Sequence, residues 1–173
     1  FVFLQYFSTM PLYYRDGHFL SELEIGLLFA LNGFIIFVFE MPMIKWLEGT
    51  KYSQIFLTMV GVFLVALSFA VLLVSPSSWV LVIGIVFMTF GEMLAFPYSN
   101  AFVIERAKRG NIGEYMGYYT VAFSISHIFG HNSGMQMIDK IGFDQTWTII
   151  TIITIDVHER DVIEDFVIRK IQD

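Results

Sequence analysis

Two carboxylates interrupt otherwise apolar stretches of this chain. Glu92 lies fourteen residues after Ser78 and thirteen before Glu105, about 20 Å from either end at helical rise. In a membrane helix that is mid-depth, where an ionised side chain costs about 3 kcal/mol or more to insert. A carboxyl held there can take up and release a proton or bind a cation in a central cavity. It can also stay protonated as a hydrogen bond between helices. Glu40 lies six residues before Trp46, nearer one membrane face, where it can pair with a base on a neighbouring loop. Asn32, Ile36 and Glu40 follow at i, i+4 spacing, so Asn32 extends a polar stripe along the same helix face.

His127 and His131 are one turn apart, with Asn132, Ser133 and Gln136 close in sequence. That spacing can hold a metal. A zinc protease, however, needs His-Glu-x-x-His, and here the run is His127-Ile128-Phe129-Gly130-His131 without a glutamate. No third ligand is evident, so no metal is expected; the pair is expected to line a polar vestibule or bond to helix backbones. The chain has no cysteine and hence no thiol chemistry. It has no nucleophile-elbow serine, and no phosphate-cradling glycine loop followed by lysine. Neither an enzyme nor a bound cofactor is expected.

The elements that would position these groups are long apolar segments. Hydrophobic residues make up 56% of the 173 and charged residues 15%, well below the roughly 25% of soluble domains. The mean hydropathy is +0.67. Nineteen Phe and nine Met are more than one small aqueous core buries, so lipid is the fitting solvent. A net charge of −6 removes the basis for nucleic-acid binding. A hydrocarbon core needs about 20 apolar helical residues per crossing. Segments 25–44, 55–74, 79–104 and 115–138 supply it, and 1–14 looks like part of another. Segment 147–155 has only nine apolar residues, about 14 Å of helix, before a charged tail at 156–173. There Ile163, Val167 and Ile171 could mark a short amphipathic helix. The chain opens Phe1-Val2-Phe3-Leu4 with no initiator Met or signal peptide, so a longer parent is expected.

Ser21-Glu22-Leu23-Glu24 reads as a capping box. Short links force neighbouring helices antiparallel, which gives an all-α bundle. Lys45, Lys51, Arg106, Lys108, Arg109, Arg160, Arg169 and Lys170 fall on one side and Arg15 and Lys140 on the other, placing the first group in the cytoplasm. Trp46, Tyr52 and Trp79 mark span ends. Gly113-x-x-x-Gly117 and Gly130-x-x-x-Gly134 allow close helix approach, and Pro11, Pro42 and Pro97 can bend their helices.

Phe90-Gly91-Glu92-Met93-Leu94-Ala95-Phe96-Pro97 resembles helix ten of proton-coupled transporters of the major facilitator superfamily. Glu105-Arg106 through Gly113-Glu114-Tyr115-Met116-Gly117 is similar to their helix ten–eleven link. Gln5 to Tyr14 resembles the outer end of helix seven, and Ile25 to Pro42 resembles helix eight. The likeness covers about residues 1–147. It implies the C-terminal six-helix half of a twelve-helix fold, with a truncated last helix and a cavity between halves. It places Glu92 at a position used for proton or cation coupling and adds Gln5 to the candidate cavity group of Glu92, Glu40, Asn32, His127 and His131. The implied function is secondary transport across the cell membrane, with proton-driven efflux of small organic compounds as the leading expectation. The rivals are a proton-coupled importer of a peptide, sugar or other metabolite and a non-transporting scaffold. Implied partners are protons, a small-molecule substrate, lipid and the missing N-terminal half.

Overall fold

The computed structural model describes residues 2–75, 77–107 and 111–172, with side chains up to residue 159. Six α-helices follow one another, and no strand occurs among the described residues. They are α1 (Val2–Leu12), α2 (Glu22–Glu48), α3 (Gln54–Leu72), α4 (Ser78–Ala107), α5 (Ile112–Ile141) and α6 (Phe143–Gln172). A π-helical turn, Tyr13–Gly17, prolongs α1.

The helices start and stop where the local chemistry directs. Ser21 caps α2 by accepting from the Glu24 amide at 3.4 Å, while Glu24 Oε2 accepts from the Ser21 backbone at 2.8 Å. Ser53 caps α3 through the Phe56 amide, and Asn111 caps α5 through the Gly113 amide. Gly142, at φ 81°, ends α5 in a backbone conformation that a side chain would strain. Pro11, Pro42 and Pro97 all lie inside helices.

Three helices, α2, α3 and α4, are long and apolar enough to cross a membrane. The fifth is as long as α4 at 30 residues, but its tyrosines, serines and histidines make it less apolar. In α6 the helix runs on past the apolar stretch 147–155 through charged sequence to Gln172. A helix satisfies its backbone internally in water as in hydrocarbon, so it need not end where the apolar stretch does.

The most extensive packing is between α3 and α4. A Cβ on Gly61 would lie 2.6 Å from the Ala95 nitrogen, and one on Gly91 would lie 2.8 Å from the Gly61 carbonyl. These two backbones touch, as small residues permit. The larger core cluster joins α1, α3, α4 and α6 through Tyr6, Met10, Phe69, Ile85, Met88 and Trp147, all essentially inaccessible. A smaller cluster, Leu47, Leu57, Leu94 and Tyr98, closes the end that carries Lys45 and Lys51. Trp46, Tyr52 and Trp79 are exposed at helix ends, as expected of aromatics at a membrane interface. Of the bases used above for orientation, Lys108 and Arg109, and the side chains of Arg160, Arg169 and Lys170, lie outside the described residues, as do those of Ile163, Val167 and Ile171.

Candidate functional site

Because α2 and α4 are separated by one antiparallel helix, they run in the same direction and pack side by side. Equal distances along the two therefore bring residues level. Asn32 is the eleventh residue of α2, and Thr89 the twelfth of α4. Asn32 Nδ2 donates to Thr89 Oγ1 at 2.9 Å and approaches Glu92 Oε2 at 3.5 Å. Thr89 in turn donates to the Ile85 carbonyl at 2.6 Å, one turn back in its own helix. Asn32 is 8% exposed and Thr89 0%, so both polar side chains are satisfied by one another rather than by solvent.

Glu92 is residue 15 of the 30 in α4, its midpoint. Gly91 packs on α3, and one residue further, about 100° around the helix, Glu92 points to the α2 seam. It is half-buried. Glu40, two turns beyond Asn32 on the same stripe of α2, is also half-buried. Neither carboxylate has an ion pair among the described residues. The base that Glu40 could have paired with is not supplied by Lys45, Lys51 or Arg106.

The other expected residues lie elsewhere. Gln5 is fully buried between α1 and α5, where its Nε2 donates to the Gly130 carbonyl. The space left by the missing Gly134 side chain is filled by Gln5 and Thr9, so the Gly130/Gly134 pair is a true close-approach surface. Gly117 has nothing near it. His127 and His131 are exposed on α5, and the His127 ring lies tilted against that of Phe123, with centroids 4.9 Å apart. Phe123 in turn meets Phe96 of α4, one turn from Glu92, but neither histidine is hydrogen-bonded to Glu92 among the described residues. No cluster of three or more His, Cys, Asp or Glu able to hold a metal occurs among the described residues.

Thr89 was missed from sequence. Its signal was present: Thr89 and Glu92 are a polar i, i+3 pair within an apolar span, hence on one face.

These contacts place a carboxyl at mid-helix beside an amide of a parallel neighbour, and sequence comparison gives the family. Residues 1–131 match the Major Facilitator Superfamily. The chain belongs to this superfamily. It is similar to an uncharacterized transporter of the superfamily, YqjV of Bacillus subtilis, at 26% identity across 89% of this chain and 37% of the relative. It also resembles a Na(+), Li(+), K(+)/H(+) antiporter of Planococcus maritimus, at 22% identity across 79% of this chain and 31% of that protein. A second uncharacterized Bacillus subtilis transporter of the superfamily, YttB, is 26% identical across 78% of this chain and 34% of the relative. The chain spans about a third of the length of the curated relatives it matches. No solved structure gives a significant match. The helices of the chain form an all-α bundle consistent with half of the superfamily's fold.

Proposed function

We propose that this chain is the C-terminal half of a proton-coupled secondary transporter that exports small organic compounds, with Glu92 exchanging the proton. The observation that carries the reading is a carboxyl at the midpoint of a membrane-length helix with no basic partner among the described residues, contacted by a buried amide from the next helix. A purely structural acid would be expected to be neutralised by a base or sealed from water. Glu92 has no ion pair among the described residues and is only half-buried, which supports the reading. Protonation removes a charge at mid-depth, which changes the relative free energy of the two closures of the cavity and so biases which face is open. The Lys45 and Lys51 end lies in the cytoplasm by charge bias.

A second reading is exchange of monovalent cations for protons, favoured by the name of the Planococcus relative. One experiment separates the two. The full-length transporter is placed in inside-out vesicles with an imposed proton gradient, and dissipation is followed by a pH-sensitive dye on adding ethidium, Na+, Li+ or K+. A response to ethidium supports export of organic compounds, and a response to the alkali ions alone supports cation exchange. In either case Glu92→Gln abolishes the response. Wild-type dissipation in that variant would remove Glu92 from the coupling step.

A further inference from the structure

Glu40 was expected to neutralise a loop base, yet it has no ion pair among the described residues. It occupies the same stripe of α2 as Asn32, eight residues and about 12 Å nearer the Lys45 end. Asn32 reaches Glu92, so Glu92 lies between Asn32 and Glu40 along the α2–α4 seam. Titratable groups on the neighbouring helices are few among the described residues: α5, packed on α4, carries His127, whose ring meets Phe123 and through it Phe96, one turn from Glu92, and His131 a turn beyond, while α2 carries Glu48 two turns past Glu40. All nineteen residues of α3 and all eleven of α1 are uncharged, α4 offers only Glu92 before Glu105, and Lys45 is five positions on from Glu40 and off its face. Arg15 and Asp16 pair with each other at the opposite end.

We propose that Glu40 is the proton relay between Glu92 and the face of the membrane that carries Lys45. The inference rests on the proton-exchanging role given to Glu92 and adds a direction to it. A proton leaving the Glu92 carboxyl passes through intervening water to the Glu40 carboxylate. Glu40 then releases it to the aqueous side, and the reverse order loads Glu92. Nothing is oxidised or reduced, and the net event is movement of one proton. Asn32 donates to Thr89, and Thr89 in turn donates to the Ile85 carbonyl, which closes the stripe on the other side of Glu92. The polar line is therefore one-sided, running from mid-depth to one face.

The test needs no transported compound. The full-length transporter, reconstituted in one orientation, is followed by time-resolved infrared absorption of its protonated carboxyl band during a pH step applied on either side. The probe is the proton itself. Glu92→Gln should remove a carboxyl component; if it removes none, the role of Glu92 fails and the relay falls with it. In Glu40→Gln the Glu92 component should remain. Its response to a step on the Lys45 side should slow roughly a hundredfold, the low end of what a positioned proton-transfer group contributes. Its response to a step on the other side should be unchanged, and Glu40→Asp should restore most of the rate. Wild-type rates from both sides in Glu40→Gln would overturn the relay while leaving Glu92 in place. If Glu40→Gln does not assemble, Glu40→Asp is compared with Glu40→Asn, and equal rates in that pair overturn the proposal as well.

Discussion

Asn32 shows how much of the site a single side chain organises. Its amide is the link between α2 and the Thr89–Glu92 face of α4. Interhelical hydrogen bonds in membrane proteins average about 0.6 kcal/mol and reach about 1.7. A double-mutant cycle of Asn32→Ala and Thr89→Val in detergent-solubilised full-length protein should therefore give a coupling near 1 kcal/mol. No measurable coupling would mean that the bond does not hold the seam. Glu92 was legible in the sequence because a lone charge in an apolar run stands out against its neighbours. Thr89 was not, because a threonine in a membrane helix usually bonds its own backbone, and its other partner is 57 positions away. Glu40 was legible as a residue but not as a role, since only the packing shows whether a base reaches it.

At the scale of the element, the glycines separate spacing from contact. Gly113 and Gly117 have the close-packing spacing, yet a Cβ on Gly117 would meet nothing. Gly61 and Gly91 lack such a spacing because they face each other from different helices, so sequence alone passed over them. Gly91→Ala should destabilise the α3–α4 pair by about 1–3 kcal/mol through overpacking. Gly117→Ala should be neutral or stabilising by up to about 1 kcal/mol through helix propensity. Thermal unfolding of the two variants should rank them in that order. The capping box was readable because its two residues are three apart and need no tertiary partner. The Glu24 carboxyl is held below its ordinary range by its bonds to the Ser21 hydroxyl and backbone. A depressed carboxyl stabilises the folded state above its unfolded value and loses that contribution as pH falls through the folded one. Amide protection at the start of α2, taken relative to the intrinsic exchange rate at each pH, should thus fall in acid below about pH 4, and Ser21→Ala should reproduce the loss of protection at neutral pH. Exchange insensitive to both would show that the box contributes nothing there.

At the scale of the molecule, the fold class followed from long apolar segments joined by short links, which leave a chain little choice but an antiparallel bundle. The extent of α6 did not follow, because hydropathy reports where hydrocarbon ends and not where a helix must end. The burial is lopsided. The α1, α3, α4 and α6 helices share the main core, while α2 and α5 keep broad exposed apolar faces, among them Phe34, Phe37, Met41, Tyr118, Val121 and Phe129. Such faces suit lipid and a second half-bundle. The isolated 173-residue chain in liposomes should therefore show no proton flux above protein-free liposomes.

The chain has no cysteine, which makes water access along α4 directly measurable. In full-length protein with any cysteine outside this segment replaced by serine, Glu92→Cys and Gly91→Cys are each exposed in membranes to a charged, water-soluble maleimide. A transport-pathway carboxyl predicts rapid labelling at position 92 and none at position 91, which packs on α3. An unreactive Glu92→Cys, with labelling restored only on denaturation, would contradict the account and leave Glu92 as a sealed contact between helices.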